Sequence, residues 1–151
     1  MSFRRQYIRF DHNLLGSPTI WPSDVSITLG ARKMGVKLIC DPQILVDHYE
    51  FPRQKGDERK MINLEAYMKK SHNITYLILK YLPWYRWPIF LIYSFLIGQQ
   101  NTPGFFYDLL HGRKPRFDVL KASLQGKVLA FQTLRRWYKQ QEHYSQVLTS
   151  Q

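Results

Sequence analysis

The sequence has few of the residues and motifs that build disulfide frameworks, metal clusters and phosphate-binding loops. Cys40 is the only cysteine in 151 residues, which excludes an internal disulfide and a cysteine-based zinc site. It contains no glycine-rich phosphate loop, no G-x-S-x-G turn and no H-E-x-x-H pair, so the familiar nucleotide-hydrolase, esterase and zinc-protease motifs are absent. Residues 1–10 hold three arginines and no apolar run, which argues against a signal peptide.

Acidic residues are scarce in the second part of the chain. Residues 66–151 contain 12 basic and 3 acidic side chains, and therefore carry +9 of the formal net charge of +11. The apolar stretch at residues 87–97 is shorter than the ~20 residues that a membrane-spanning helix needs. Because 44% of the residues are hydrophobic and 15% aromatic, we expect a chain that folds or contacts lipid and attracts an anionic partner.

The first third of the sequence predicts one helix followed by a strand pair. Residues 23–35 open with a polar capping residue and end at a glycine, as helices do. Residues 36–40 and 44–46 are short apolar runs on either side of an Asp-Pro turn, and predict two strands. Residues 51–60 are polar and rich in helix breakers, which predicts a loop or linker.

The remainder predicts mainly helices. Helical character resumes around residues 61–70, and residues 75–97 are mostly apolar and aromatic. A threonine followed by proline predicts the start of another helix over residues 102–111. Residues 117–138 show the clearest amphipathic helical spacing, with a frayed tail expected over residues 140–151.

Residues 10–53 contain a series of short motifs in one order along the chain, namely Phe10-Asp11-His12-Asn13-Leu14-Leu15-Gly16, Ser23-Asp24, Arg32-Lys33-Met34-Gly35, Asp41-Pro42 and Asp47-His48-Tyr49. This series resembles the end of the catalytic domain in family 2 glycosyltransferases of the GT-A type, where F-D-E-N-L-x-G leads to an acidic pair, a helix ending in R-K-x-G, a D-P turn and H-Y or H-H. Residues 72–84, which include His72-Asn73-Ile74-Thr75-Tyr76, resemble the membrane-associated extension of bacterial members.

The resemblance implies roles for two residues. Asp24 matches the catalytic base that takes the proton from the acceptor hydroxyl, a task that suits a carboxylate kept ionised at a helix start. His48 matches a position where some relatives bind the divalent metal of the sugar diphosphate, Mn or Mg. This sequence departs from the family in having Ser23 where an acidic residue usually precedes the base. By residue type alone, Asp24 is also an ordinary helix cap and His48 a hydrogen-bonded structural residue.

The expected fold class is α+β, namely an incomplete GT-A remnant followed by a mostly helical, membrane-associated region. The remnant covers residues 1–54, and a linker and helix cover residues 55–74. The apolar aromatic segment covers residues 75–98, and basic amphipathic helices with a tail cover residues 99–151. No D-x-D motif occurs in the sequence. We therefore expect transfer of a sugar to a glycan or lipid-linked acceptor only together with a separate nucleotide-sugar-binding half.

Two other functions fit the basic, aromatic composition. One is a non-catalytic membrane-surface or scaffold module, with Trp84, Tyr85 and Arg86 at the headgroups of anionic lipids. The positive charge then favours the cytoplasmic face of the membrane, in a peripheral or shallowly inserted position. The other is nucleic-acid binding through residues 113–116 and 135–139, which pair charge with aromatic rings. Since no nucleic-acid-binding module accompanies them, we favour the membrane surface.

Overall fold

The computed structural model describes residues 11–16, 23–39, 43, 63–112, 114 and 116–149. In chain order these contain five α-helices, one turn of 3-10 helix at Trp84–Arg86 and a two-stranded antiparallel sheet. The helices are α1 Ser23–Lys33, α2 Leu64–Tyr81, α3 Trp87–Leu96, α4 Tyr107–Leu110 and α5 Phe117–Thr149, and the strands are β1 Gly98–Gln99 and β2 Thr102–Pro103. The described residues are thus mostly helical with a small sheet, broadly as expected for an α+β chain.

Helices α2 and α5 pack along each other and form the core. Helix α2 begins at the cap residue Asn63, whose side chain accepts a hydrogen bond from the backbone N–H of Ala66. The helix then continues without a break across the predicted boundary at residue 75. A buried apolar cluster joins α2 to α5 through Tyr76, Leu77, Leu79, Ala130 and Leu134.

Small and polar side chains fill the rest of the contact between α2 and α5. Ser71 donates a hydrogen bond from its hydroxyl to that of Ser123 at 3.0 Å, and both residues are fully buried. A Cβ placed on Gly126 would lie 2.2 Å from the backbone oxygen of Met68, so the two helices approach closely there. The interface is therefore held by close backbone packing and hydrogen bonds as much as by large apolar side chains.

Residues 84–110, here called the apolar hairpin, fold back on themselves through the two short strands. Gly98 pairs with Pro103 and has a φ of 71°, and a Cβ on it would lie 2.3 Å from the Thr102 carbonyl oxygen. Phe105 and Phe106 donate their backbone N–H groups to carbonyls in the last turn of α3. The returning segment thereby satisfies carbonyls that have no partner inside the helix.

A buried lysine fastens the apolar hairpin to α5. The Lys127 ammonium donates hydrogen bonds to the backbone oxygens of Ser94 at 2.6 Å and Pro103 at 3.3 Å. Ser123 also donates its hydroxyl to the Pro103 oxygen. Polar contacts from α5 therefore hold the hairpin, while many of its apolar side chains face outward.

Three predictions of local structure are wrong over the described residues. Thr102 and Pro103 form β2 instead of starting a helix, because they pair with β1, and only the short helix α4 follows. Residues 36–39 lie in no strand, and Ile39 is 79% exposed, without the ladder partner that a strand requires. The second predicted strand, residues 44–46, lies outside the described residues. Residues 140–149 continue α5 instead of fraying.

Two predicted helices are confirmed. The capping residue and the terminal glycine predict α1, and the apolar periodicity predicts α5. The predicted end of a helix near residue 111 agrees with the structure, since α4 ends at Leu110 with His111 as its cap, and Gly112 follows with a φ of 63°. Among the helices that the structure describes, none has both the length and the apolar character needed to cross a bilayer.

Candidate functional site

Asp24 lies in the first turn of α1 with its side chain exposed. One carboxylate oxygen accepts a hydrogen bond from the backbone N–H of Val25 at 2.8 Å. Buried Ser26 and Ala31 lie on the same helix, and α1 contacts α2. The Asp24 carboxylate therefore lies exposed at the N-terminus of a helix that packs on α2.

Asp11, from the Phe10–Gly16 motif, forms a shielded ion pair with α2. Its carboxylate lies 2.6 Å from the Lys80 ammonium, and the two side chains are 6% and 10% exposed. The Tyr76 hydroxyl contacts both partners, at 3.4 Å from Asp11 and 3.1 Å from Lys80. Asp11 also accepts hydrogen bonds from the backbone N–H and side-chain amide of Asn13. The motif is therefore anchored to the core by a charged, hydrogen-bonded cluster.

The surroundings of this cluster shift the pKa values of two of its groups, Asp11 and Tyr76. Burial by itself raises the pKa of Asp11, but the hydrogen bond and positive charge of Lys80, together with the hydrogen bonds from Asn13, hold that pKa below its ordinary value. Burial raises the pKa of the Tyr76 hydroxyl strongly, and the negative charge of Asp11 raises it further. At neutral pH Asp11 is accordingly ionised and the Tyr76 hydroxyl is neutral.

Two lysines from different segments meet the same aromatic rings. The Lys80 ammonium lies 4.7 Å from the Trp137 ring centre and 5.4 Å from that of Tyr81. Lys33, from the Arg32-Lys33-Met34-Gly35 motif at the end of α1, lies 5.7 Å from the Trp137 ring centre and 5.8 Å from that of Tyr81. Cation–π attraction thus connects α1, α2 and α5 at one place.

Asn73 ties the Phe10–Gly16 motif to α2 a second time. Its amide oxygen accepts the Leu15 backbone N–H at 2.8 Å, and its amide nitrogen donates to the Leu15 carbonyl at 3.0 Å. The adjacent His72 is buried between Asn73 and the Thr133 hydroxyl, with both ring nitrogens within hydrogen-bond distance of them. Burial lowers the pKa of His72. His72 therefore joins the core as a neutral ring.

The described residues do not assemble a metal site. No group of three or more His, Cys, Asp or Glu side chains converges among them. The predicted metal ligand His48 lies outside the described residues. The side chains present in the described part of the chain do not by themselves fit a divalent cation.

Sequence reasoning overlooked Lys80 and Lys127, which organise the interior. Lys80 interrupts the apolar run of residues 75–97, and a charge at that place indicates a buried partner. Lys127 follows Gly126 on the small-residue face of α5 and has carbonyl oxygens as its hydrogen-bond acceptors. Burial lowers the pKa of Lys127 to about 8. No local pattern around Lys127 indicates its burial.

Comparison with known proteins adds no family assignment to this geometry. No protein-family model matches the sequence, and neither a curated protein nor a solved structure shows significant similarity to the chain. The family 2 resemblance therefore stays a prediction from the motifs themselves.

Proposed function

We propose that this chain is the acceptor-side part of a family 2 type glycosyltransferase, which transfers a sugar from a nucleotide-sugar donor to a glycan or lipid-linked acceptor. The observation that supports this most is that three of the matching segments, all within the described residues, contact one another. Residues 11–16 are bound to α2 through Asn73 and Lys80, and the motif that ends α1 reaches the Tyr81 ring beside Lys80 through Lys33.

In this proposal Asp24 is the catalytic base. Its carboxylate is exposed at the start of α1, where an acceptor hydroxyl can approach to hydrogen-bond distance. The donor diphosphate and its Mn or Mg ion are bound mainly by a separate nucleotide-sugar-binding half, because the sequence holds no D-x-D motif and the described residues form no metal cluster. His48 would add one metal ligand from this chain.

Asp24→Asn tests the base assignment. Membranes that contain this chain together with a nucleotide-sugar-binding half are assayed for transfer from a panel of radiolabelled nucleotide sugars. We expect Asp24→Asn to abolish transfer, because the amide cannot accept the acceptor proton, and to leave the thermal unfolding of the chain unchanged. The matched control is Asp118→Asn, which alters another exposed first-turn aspartate, on α5. Unchanged turnover in Asp24→Asn would eliminate the role of Asp24.

The second candidate is a non-catalytic membrane-surface module, and the exposed side chains of the apolar hairpin favour it. Ile89 is 74% exposed and Phe105 62% exposed, although both are large and apolar. Such a continuous apolar surface is uncommon on a soluble monomer and typical of an interaction site. Further exposed apolar residues of the hairpin are Trp84, Tyr85, Ile92, Tyr93, Leu96, Ile97, Phe106, Leu109 and Leu110.

The charges around the hairpin fit an anionic bilayer. Arg86 lies beside Tyr85, with its guanidinium carbon 5.7 Å from the Tyr85 ring centre, and Lys114 is exposed just beyond the hairpin. Asp108 is the acidic residue of the hairpin, and Arg116 neutralises it at 3.0 Å. Aromatic rings beside arginine suit the headgroup boundary, and the positive charge favours the cytoplasmic face of the membrane.

Vesicle flotation tests this candidate. We expect the chain to float with vesicles of phosphatidylcholine mixed with phosphatidylglycerol, and less with phosphatidylcholine alone. Ile89→Asp should weaken flotation, because a carboxylate on α3 would have to enter the apolar layer. Leu38→Asp is the control, since Leu38 is exposed but lies outside the hairpin. Full recovery of the unaltered chain in the unbound fraction would refute membrane attachment without bearing on Asp24.

A further inference from the structure

Helix α5 carries a second apolar stripe, beside its contact with α2. Phe117, Leu124, Phe131 and Tyr138 recur at intervals of seven residues, and Val128 lies between them. Phe117 is 71% exposed and Val128 54% exposed, whereas the small residues of α5 face α2. A heptad spacing of large apolar residues is the pattern by which one helix receives another. The stripe therefore has the spacing of a helix-binding face, and no helix in the described part of the chain covers it.

The stripe forms one wall of a shallow groove. The groove has a volume of about 570 Å³ and runs from Phe117 to Gln132 along α5, with Met68 of α2 at its edge. At 1.5 Å per residue this stretch is roughly 22 Å long, or about four helical turns. An apolar groove of this length accepts the side-chain row of an amphipathic helix.

The charges beside the groove identify the kind of helix that fits. Lys121, Arg135 and Lys139 are exposed on the outer side of α5, while Asp118 and Glu142 stand near the ends of the stripe. A partner helix with acidic flanking residues would oppose these cations along the length of the groove. A second copy of this chain would bring the same positive charges, so like-charge repulsion disfavours self-association.

We propose that the α5 groove binds an amphipathic helix with acidic flanks from a partner protein. Its apolar residues pack against Phe117, Leu124 and Val128, which line the groove, and its carboxylates face Lys121 and Arg135. This site is separate from Asp24, and residues 124–132 of the groove lie beyond the apolar hairpin. It therefore stands whether or not the chain takes part in sugar transfer or membrane binding.

A designed peptide tests the proposal. The probe is a fluorescent helix of about 20 residues with leucines at heptad spacing and glutamates on both flanks. We expect saturable binding by fluorescence anisotropy, and binding at least about tenfold weaker for a peptide whose flanking glutamates are replaced by lysines. Equal binding of the two peptides would overturn the charge-selected site, and absence of saturable binding would overturn the site altogether.

Variants on the exposed stripe locate the binding. Val128→Glu and Phe117→Glu should each reduce affinity for the acidic peptide by about tenfold or more, because a carboxylate enters the apolar groove and faces the peptide's own charge. Both side chains are exposed, so the unfolding midpoint by circular dichroism should not move. Ile89→Glu, on the hairpin, is the matched control and should bind the peptide normally. Equal loss in Ile89→Glu would place the peptide on the hairpin and refute the groove.

Two further measurements separate the groove from other occupants. Phosphatidylglycerol vesicles should not displace the bound peptide. Full displacement, together with loss of vesicle binding in Val128→Glu, would assign the stripe to lipid and overturn the proposal. Sedimentation should show that the stripe does not hold two copies together. A dimer that Phe131→Glu dissociates would show that the stripe is a self-association face.

Discussion

Helix α5 approaches α2 through Gly126, and replacing this glycine with alanine should destabilise the protein. The added methyl would lie 2.2 Å from the Met68 carbonyl oxygen, 2.9 Å from Ser71 Cβ and 3.0 Å from the His72 nitrogen. Backbone atoms of α2 are among these neighbours, so no side-chain rotation relieves the clash. The two helices have to separate by about 1 Å to restore ordinary van der Waals contact at the Met68 oxygen.

The expected loss follows from three contributions. Overpacking of a close helix contact costs about 1–3 kcal/mol. Separation of the helices also lengthens the 3.0 Å hydrogen bond between Ser71 and Ser123, which is worth about 1 kcal/mol. The higher helix propensity of alanine offsets about 1 kcal/mol of this. We expect the free energy of unfolding to fall by about 2 kcal/mol in Gly126→Ala.

Gly30 provides a matched control within α1. A Cβ there would meet the Tyr81 hydroxyl at 3.5 Å, an ordinary contact, so Gly30→Ala should stabilise the protein by about 0.5–1 kcal/mol. Urea unfolding followed by circular dichroism measures both variants against the unaltered chain. If Gly126→Ala proved as stable as Gly30→Ala, the close packing of α2 on α5 would be refuted.

Three side chains of the interior give further predictions. Burial lowers the pKa of Lys127 from 10.5 to about 8, so the folded protein binds fewer protons than the unfolded chain between pH 8 and 10.5. The free energy of unfolding should therefore rise with pH over that window. Lys127→Met should lack this rise in urea titrations. Asp11→Asn leaves Lys80 shielded beside a neutral amide and should cost about 3 kcal/mol at pH 7. The pKa of Asp11 is lowered from 3.8, so the native protein loses this stabilisation as the pH falls below that value, and its difference from Asp11→Asn should shrink in acid. Asn73→Ala removes two hydrogen bonds to Leu15, should cost about 2 kcal/mol, and should speed hydrogen exchange at the Leu15 N–H.

Exposed residues of the same types serve as controls for these variants. Lys121→Met on α5 should keep the rise in stability with pH, since Lys121 is exposed. Asp118→Asn should leave stability at pH 7 within about 0.5 kcal/mol. A stability profile of the native protein that is flat between pH 8 and 10.5 would contradict the burial of Lys127, and unchanged exchange at Leu15 would contradict its pairing with Asn73.

Local patterns predicted the elements whose formation depends on nearby residues. The capping and glycine punctuation around Asp24 and Gly35 predicted α1, and the 3.6-residue periodicity after residue 117 predicted α5. The same capping residue and terminal glycine also predicted that the Asp24 carboxylate lies exposed at a helix start. The motif resemblance also singled out the segments containing Asp11 and Asn73, although it did not indicate that their side chains anchor one segment to the other.

The sequence alone determined that most of the chain is helical, basic and lacking a membrane-spanning run, because composition, capping and periodicity act over a few residues. Only the tertiary structure decided which face of α5 is buried. There the small residues around Gly126 allow a closer helix approach than the larger apolar stripe through Phe131, which stays exposed. Thr102 likewise became a strand residue through its pairing across the turn with Gln99. Lys127 is buried because its ammonium donates to the backbone oxygens of Ser94 and Pro103, which are distant in sequence. The residues next to Lys127 do not predict such non-local contacts.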